Sequence, residues 1–171
     1  MPEISVSVED SADTDAVRDV VTAAFGRNDE AELVDALRES PAYCSNPSLV
    51  AHLTGDIVGY VMFAEVTLDE APEKEALVLA PLAVDPDHQR MGVGTRLVHV
   101  GLEKAREAGY ELVFLHGDPD YYERFGFTSA VDAEFENPFD MPDESFQVCD
   151  LTEGTLDDVA GTLTYPAPFR A

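Results

Sequence analysis

One stretch of this sequence restricts the fold more than any other. Residues 76–84 are apolar almost throughout, as in a strand that is covered on both faces. A glycine-containing turn follows, then a helical pattern that stops at Gly109, and then a second apolar run at 112–116. A strand, a helix and another strand in this order form a right-handed crossover, which predicts that the two strands are parallel. The chain is therefore predicted to have a mixed α/β fold.

A proline interrupts the first of these two strands. Pro81 has no backbone N–H to donate to a neighbouring strand. Inside a covered strand it therefore predicts a bulge or a local loss of pairing.

Periodicity predicts the other elements. Alternation of apolar and polar residues indicates a strand at 4–9, and helical spacing indicates a helix that is capped by Ser11 or Asp13 and ends at Gly26. The remaining predictions are a helix at 29–39, strands at 49–54 and 57–68 joined by a turn at Gly55-Asp56, a loop at 69–75, a short helix at 121–125, a strand from Phe127, a loop at 132–144, and strands at 146–151 and 161–165. With 171 residues and no linker, the chain is expected to form a single domain over 1–171.

The charge of the chain is extreme. Asp and Glu number 35 against 10 Lys and Arg, giving a net charge of -25, and the acids are scattered along the chain. Phosphate contacts need a basic surface, so binding of nucleic acid is disfavoured. We interpret the charge as adaptation to molar salt in the cytoplasm of a halophile, where repulsion between carboxylates is screened. The alternative is an acidic interaction protein, such as a nucleic-acid mimic.

Several other classes of protein are disfavoured. No window holds 18 consecutive apolar residues and the N-terminus has no basic and apolar signal segment, so we expect neither a membrane span nor secretion. Cys44 and Cys149 form no C-x-x-C pair, so no metal site and no disulfide framework are indicated. Both cysteines are expected to be buried as small apolar side chains.

The turn between strand and helix carries the features of an anion site. Glycines allow a close backbone approach, the helix N-terminus presents N–H groups and a positive dipole end, and a hydroxyl and a guanidinium are near. These residues are Gln89, Arg90, Met91, Gly92, Val93, Gly94 and Thr95. A P-loop would need Gly-Lys-Ser/Thr, and a Rossmann turn would need glycine at Leu97. A ligand with a pyrophosphate is predicted, although the G-x-G turn alone could be a glycine-rich helix start.

Two motifs in this order resemble the GNAT superfamily of N-acetyltransferases. Gln89, Gly92 and Gly94 match its acetyl-CoA loop, Q/R-x-x-G-x-G/A, and Tyr122 begins its Tyr-x-x-x-Gly-Phe pattern. The resemblance covers residues 4–130. Segments 117–122 and 161–166 are most similar to the YhbS-like branch of that superfamily.

The resemblance implies a fold and a cosubstrate. A mostly antiparallel sheet would contain a central parallel pair of strands that splay apart, with flanking helices, and Pro81 fits the break in the first strand of that pair. Main-chain groups of Leu82, Ala83 and Val84 would face the pantetheine arm of acetyl-CoA, and the amides of 91–95 its pyrophosphate. Many members have an Asn after the second strand, whereas this chain has His116 there.

The resemblance also implies catalytic roles. Tyr122 matches the residue that protonates the leaving thiolate, although it could instead only pack, and Tyr121 is a weaker candidate for the same role. A base that deprotonates the amine could be Glu65 acting through water, or His116, or no dedicated residue if positioning suffices. The expected activity is acetyl transfer to a primary amine of a small molecule or a protein. A non-catalytic CoA-binding module is the alternative, and the late strand at 146–151 could pair in a homodimer.

Overall fold

The computed structural model describes residues 3–170, and within them all side chains except those of 44–47 and 170. The strands are β1 (Ile4–Val8), β2 (Tyr43–Leu53), β3 (Asp56–Leu68), β4 (Ala76–Val84), β5 (Leu112–His116), β6 (Thr128–Ser129), β7 (Phe146–Asp150) and β8 (Leu163–Thr164). The α-helices are α1 (Thr14–Phe25), α2 (Asp29–Arg38), α3 (Val93–Glu107), α4 (Pro119–Tyr122) and α5 (Thr155–Asp158). Short 3-10 helices lie at Ser11–Asp13, Pro86–His88, Glu123–Phe125, Asp143–Ser145 and Ala167–Arg170.

The strands form one mixed sheet in the order β1-β2-β3-β4-β5-β7-β6, and β8 pairs with the end of β3. Among the pairs of named strands only β4 and β5 run parallel; the other pairs are antiparallel. The predicted crossover from β4 through α3 to β5 and the predicted fold class are both confirmed.

The central parallel pair opens halfway along its length. Pairing of β4 with β5 extends only from Ala76 opposite Leu112 to Val78 opposite Phe114. On the other side of β4, the register with β3 shifts between Leu79 and Leu82, so β4 holds one extra residue there. This bulge contains Pro81, as predicted. After Val78, the β5-facing edge of β4 has no strand partner within residues 3–170.

Helices cover both faces of the sheet. Helices α1 and α2 pack on one face through an apolar cluster that includes Val17, Val21 and Leu37. Helix α3 packs on the other face and lies very close to it, because an added Cβ at Gly101 would come within 2.7 Å of the Phe63 ring. The apolar β4 is therefore covered on both sides, as its sequence predicts.

A few local predictions differ from the structure. A 3-10 turn precedes α1 and is capped by Asp10, whose carboxylate accepts from the Ala12 N–H at 2.7 Å. Asp13 occupies the N-cap position of α1, as one of the two predicted residues, but its carboxylate accepts from the Asp10 N–H at 3.0 Å and makes no capping bond to α1. The hairpin turn lies one residue earlier than predicted, at Thr54-Gly55, where both φ angles are positive. Strand β2 begins at Tyr43 and not at 49, because the long β3 continues past it and gives it a pairing partner.

Two further predictions concern membranes and cysteines. None of the helices in the described part of the chain is long and apolar enough to span a bilayer. Cys149 is buried, as expected. The side chain of Cys44 lies outside the described residues.

Candidate active site

The N-terminus of α3 presents free backbone donors. Gly92 caps the helix in the left-handed region, with φ 86°, and Arg90 shares that region with φ 65°. The first backbone hydrogen bond of the helix runs from the Arg96 N–H to the Gly92 carbonyl at 3.0 Å. The N–H groups of 93–95 precede this bond and have no acceptor inside the helix. They carry the positive end of the helix dipole, which suits an anion.

A cavity of about 570 Å³, which we call the anion cavity, opens beside this turn. Its lining consists of Ala24, Phe25, Leu82, Val84, Gln89, Arg90, Gly92, Val93, Gly94, Thr95, Tyr121 and Arg124. The side chains of Met91 and Ala83 lie outside this lining, that of Met91 at 51% exposure and that of Ala83 buried in the apolar cluster beneath α1. For both residues the prediction concerns the main-chain groups, and it stays a prediction.

Contacts of the turn explain why its residues fit this position. An added Cβ at Gly94 would lie 3.0 Å from the Tyr121 hydroxyl oxygen, which is itself 3.3 Å from the Thr95 hydroxyl oxygen. The Gln89 side-chain amide donates to the Val84 carbonyl at 3.3 Å and so ties the turn to the end of β4. Tyr121 therefore faces the anion cavity.

A second cation lines the anion cavity. The sequence indicated Arg90 alone as the nearby cation, and the structure corrects this by adding Arg124. The Arg124 Nε donates to the Tyr121 carbonyl at 2.8 Å, and its guanidinium lies 4.6 Å from the centre of the Tyr121 ring. The sequence signal that could have indicated Arg124 is its spacing of three residues from Tyr121, which places the two side chains on the same side of a helical turn.

A second cavity, of about 540 Å³, begins at the β4 bulge, and we call it the reaction cavity. Its lining consists of Phe25, Glu30, Leu33, Val78, Leu79, Ala80, Pro81, Leu82, His116, Tyr122, Phe139, Asp140, Met141, Tyr165 and Phe169. Phe25 and Leu82 line both cavities, which are therefore adjacent. The opening between β4 and β5 thus joins an anion site to a largely apolar chamber. This arrangement fits a long ligand with a pyrophosphate at one end and a reactive group at the other.

Tyr122 lies in the reaction cavity and is held there by packing. An added Cβ at Gly117 would come within 2.6 Å of its ring, and the Phe127 ring meets it edge to face at 5.9 Å. Burial, with a smaller contribution from Tyr121, raises the pKa of the Tyr122 phenol far above its usual value. The phenol therefore keeps its proton at neutral pH and can donate it.

His116 lies in the same cavity at the end of β5. Its ring stacks on Phe146 at 4.8 Å and meets Phe139 edge to face at 5.3 Å, and its Nε2 is 3.2 Å from the Asn137 Oδ1. Burial lowers the pKa of the imidazole, against a smaller opposing effect of the Asn137 hydrogen bond. The ring is consequently neutral at pH 7.

Glu65 does not reach either cavity. It pairs with Leu77 near the start of β4, whereas the bulge lies towards the end of that strand. Its carboxylate accepts from the Tyr110 hydroxyl at 3.0 Å, next to the C-terminus of α3. The structure therefore brings Tyr122 and His116 together and leaves Glu65 apart.

The family model for the acetyltransferase (GNAT) family matches residues 14–127, well over half of the chain. The chain belongs to the GNAT family of acetyltransferases. A curated relative, the uncharacterized N-acetyltransferase YjhQ of Escherichia coli K12, is 38% identical over 139 residues, which are 80% of this chain and 77% of the relative. The resemblance that the two motifs indicated is thus confirmed.

Two solved GNAT structures share the whole architecture. The YhbS protein of Escherichia coli, solved in complex with CoA, superposes with a TM-score of 0.93 at 31% identity, covering 100% of this chain and 94% of that one. A GNAT acetyltransferase of Brucella melitensis, solved in complex with acetyl-CoA, gives a TM-score of 0.80 at 31% identity and covers 98% of both chains. The predicted similarity to YhbS-like proteins is confirmed.

Proposed function

We propose that this GNAT protein transfers the acetyl group of acetyl-CoA to a primary amine by direct attack of the amine on the thioester. The observation that carries this proposal is that the two cavities lie next to each other along the opened edge of β4. The solved relatives from E. coli and B. melitensis, which hold CoA and acetyl-CoA, support the same cosubstrate.

The anion cavity would hold the pyrophosphate of acetyl-CoA. The N–H groups of 93–95 supply donors and the helix dipole, and Arg90 and Arg124 supply the positive charge. Because Gly94 has no Cβ, an oxygen can approach the backbone at this point. Along the edge of β4, main-chain groups between Ala80 and Val84 would take the amides of the pantetheine arm, since β5 does not pair there.

The thioester supplies an activated acetyl carbon, and the chain supplies a site for both proton movements. The amine nitrogen forms a bond to the acetyl carbon while the carbon–sulfur bond breaks and sulfur leaves with the electron pair. Tyr122 would give its phenolic proton to that sulfur, a role for which its raised pKa keeps it protonated. The other proton must leave the amine nitrogen.

His116 would take the proton of the amine. The Asn137 side-chain NH₂ donates to the Met141 carbonyl at 2.8 Å and to the Asp143 carboxylate at 3.1 Å, which fixes the amide so that its oxygen faces His116. The His116 Nε2 must then be the protonated nitrogen, donating to Asn137. The neutral ring therefore carries its basic lone pair on Nδ1. Glu65 has no part in the proposed reaction.

Release of the CoA thiol on addition of amines tests this proposal. The wild-type protein is incubated with acetyl-CoA and a mixture of primary amines, and free thiol and acetylated amine are both measured. We expect the two products in equal amounts, and none from a variant with Gly94→Trp, whose indole would fill the turn. Binding of acetyl-CoA without any acetylated amine would indicate a non-catalytic CoA-binding module instead.

A further inference from the structure

Aromatic rings form one continuous wall of the reaction cavity. Starting at His116, the rings follow one another in edge-to-face contact: Phe139 at 5.3 Å from His116, Tyr165 at 5.0 Å from Phe139, and Phe169 at 5.6 Å from Tyr165. Tyr165 is 4% exposed, and its hydroxyl oxygen is buried with no partner among the described residues. Tyr165 nevertheless lines the cavity, next to Phe139 and Phe169. A flat apolar group would find complementary edges and faces along this wall.

The charges that line the reaction cavity have one sign. Its two charged side chains, Glu30 and Asp140, are both carboxylates, and its lining includes neither lysine nor arginine. Arg27 lies nearby, but both of its contacts to Glu30, at 2.9 and 2.5 Å, engage it in an ion pair. His116 is neutral, since burial lowers its pKa. A carboxylate or phosphate in this chamber would lose its hydration without gaining a cation.

The same lining suits a ligand with a positive charge. The wall of rings and the Asp140 carboxylate both favour an alkylammonium group as it enters. Once the amine lies between His116 and Tyr122, it can lose a proton to the first of these residues. The volume of about 540 Å³ is within the usual range for small-molecule sites.

We infer that the amine acceptor, within the proposed function, is a small arylalkylamine that carries no carboxylate or phosphate. Its ring lies against Phe139, Tyr165 and Phe169, and its amine reaches the end of β5. Five lining residues, Phe139, Asp140, Met141, Tyr165 and Phe169, follow residue 127, where the match to the family model ends.

A matched pair of amines tests the inference directly. 2-Phenylethylamine and phenylalanine differ by a single carboxylate, and the tripeptide Phe-Gly-Gly represents a protein N-terminus. We expect kcat/KM for 2-phenylethylamine to exceed that for phenylalanine, and that for the tripeptide, by about 100-fold, because the cavity would desolvate the carboxylate of phenylalanine, or the peptide groups of the tripeptide, without supplying a partner.

A change of charge in the cavity tests the cause of that preference. Asp140→Lys supplies the missing cation, so it should raise kcat/KM for phenylalanine. The ratio of kcat/KM for 2-phenylethylamine to that for phenylalanine should then fall by about tenfold or more. Asp157→Lys, at an exposed position on α5, makes the same change in net charge outside the cavity and should leave the ratio unchanged.

Four results would overturn the inference. Equal or greater kcat/KM for phenylalanine or for the tripeptide would do so, as would a ratio of kcat/KM values that Asp140→Lys and Asp157→Lys change alike. If other primary amines are acetylated but arylalkylamines are not, the inference fails and the proposed function stands. If acetyl-CoA does not bind at all, both fail.

Discussion

Burial acts on the two side chains at the reaction centre in complementary ways. It raises the pKa of the Tyr122 phenol and lowers that of the His116 imidazole, so each is held in its neutral form. A protonated phenol is an acid and a neutral imidazole is a base. One largely apolar chamber thus prepares both groups for their proposed roles, and neither has a charged hydrogen-bond partner among the described side chains.

Removal of the Tyr122 hydroxyl tests its role as the acid. Tyr122→Phe keeps the ring that packs on Gly117 but removes the proton donor, so we expect kcat to fall by about 100-fold or more while the dissociation constant of acetyl-CoA changes little. Steady-state kinetics and calorimetry measure the two quantities. Tyr110→Phe, at a hydroxyl that bonds Glu65 outside both cavities, is the matched control and should keep wild-type turnover. An unchanged kcat in Tyr122→Phe would remove the hydroxyl from the mechanism.

The pH dependence of the reaction tests His116. Protonation removes the base, so activity should fall as pH decreases through the pKa of His116, which burial places below its usual value of 6.5. Dividing kcat/KM of the wild type by that of His116→Gln at each pH cancels the ionisation of the amine. We expect this ratio to be constant above pH 6.5 and to decline in more acidic solution. A ratio that does not vary with pH would contradict the assignment.

At the scale of elements, a buried ion pair fixes α2 to the sheet. Arg38, in the last turn of α2, pairs with Glu9 at the end of β1, whose carboxylate side chain is 4% exposed. The same carboxylate accepts from the hydroxyls of Tyr43 at 2.8 Å and Tyr60 at 3.0 Å. Because α2 also carries Leu33 into the reaction cavity, this cluster helps to determine the shape of that cavity.

Neutralising one partner of this pair should destabilise the fold. Glu9→Gln leaves the Arg38 guanidinium partly buried without its full counter-charge, and removing one partner of a buried pair costs about 3 to 5 kcal/mol. Arg38 is 18% exposed and also contacts Asp35, so we expect the lower end of that range, about 3 kcal/mol in the free energy of unfolding. Urea denaturation measures it. Glu39→Gln, at an exposed neighbour, should change stability by less than about 0.5 kcal/mol, and equal effects of both changes would contradict this account.

The features that depend on residues adjacent in the sequence were the most predictable. The apolar run of β4, the bulge at Pro81, the turn at Gly92 and the pattern of α3 each depend on local residue types, and all of them were correctly predicted. The aromatic wall of the reaction cavity was not predicted, because it is assembled from segments that are distant in the sequence. Phe25 ends α1, Phe139 lies in a loop, and Tyr165 lies in the C-terminal tail. This tail pairs with β3 through β8, and its Thr162 and Thr164 hydroxyls donate to Asp69. No local pattern indicates that these side chains meet.

The resemblance of motifs added to the local patterns for part of the candidate site. It indicated Tyr122 and the turn at Gly92, which the structure places at the reaction cavity and the anion cavity. It did not indicate that Arg124 joins the anion cavity or that Glu65 is remote from it. Both facts depend on how the 3-10 helix at Glu123–Phe125 and strand β3 are placed in the folded chain, and sequence spacing does not determine this.

At the scale of the whole molecule, the net charge of -25 opposes a cosubstrate that is itself polyanionic. Raising the ionic strength from 0.1 to 1 M shortens the Debye length from about 10 to about 3 Å and screens this repulsion. We propose, as an account of the same charge, that the protein works in the salt-rich cytoplasm of a halophile.

Affinity for acetyl-CoA should therefore increase with salt. Calorimetric titrations in KCl between about 0.1 and 1 M should show a dissociation constant that falls as salt is added, since screening reduces the repulsion from the protein surface. A protein with a basic cofactor site and an ordinary surface charge is expected instead to lose affinity for acetyl-CoA as KCl is added. A steady loss of affinity with added KCl would contradict the proposed adaptation to salt.

The most direct test of the central claim is calorimetric titration of the wild-type protein and Gly94→Trp with acetyl-CoA in about 2 M KCl, where surface repulsion is screened. The Gly94 position has room for no Cβ without crowding the Tyr121 hydroxyl, 3.0 Å away, so an indole there blocks the anion cavity. We predict saturable binding at one site per chain for the wild type and none for Gly94→Trp, with both proteins shown to be folded by circular dichroism. Absence of binding to the folded wild type, or equal binding to both proteins, would contradict the claim that this turn holds acetyl-CoA.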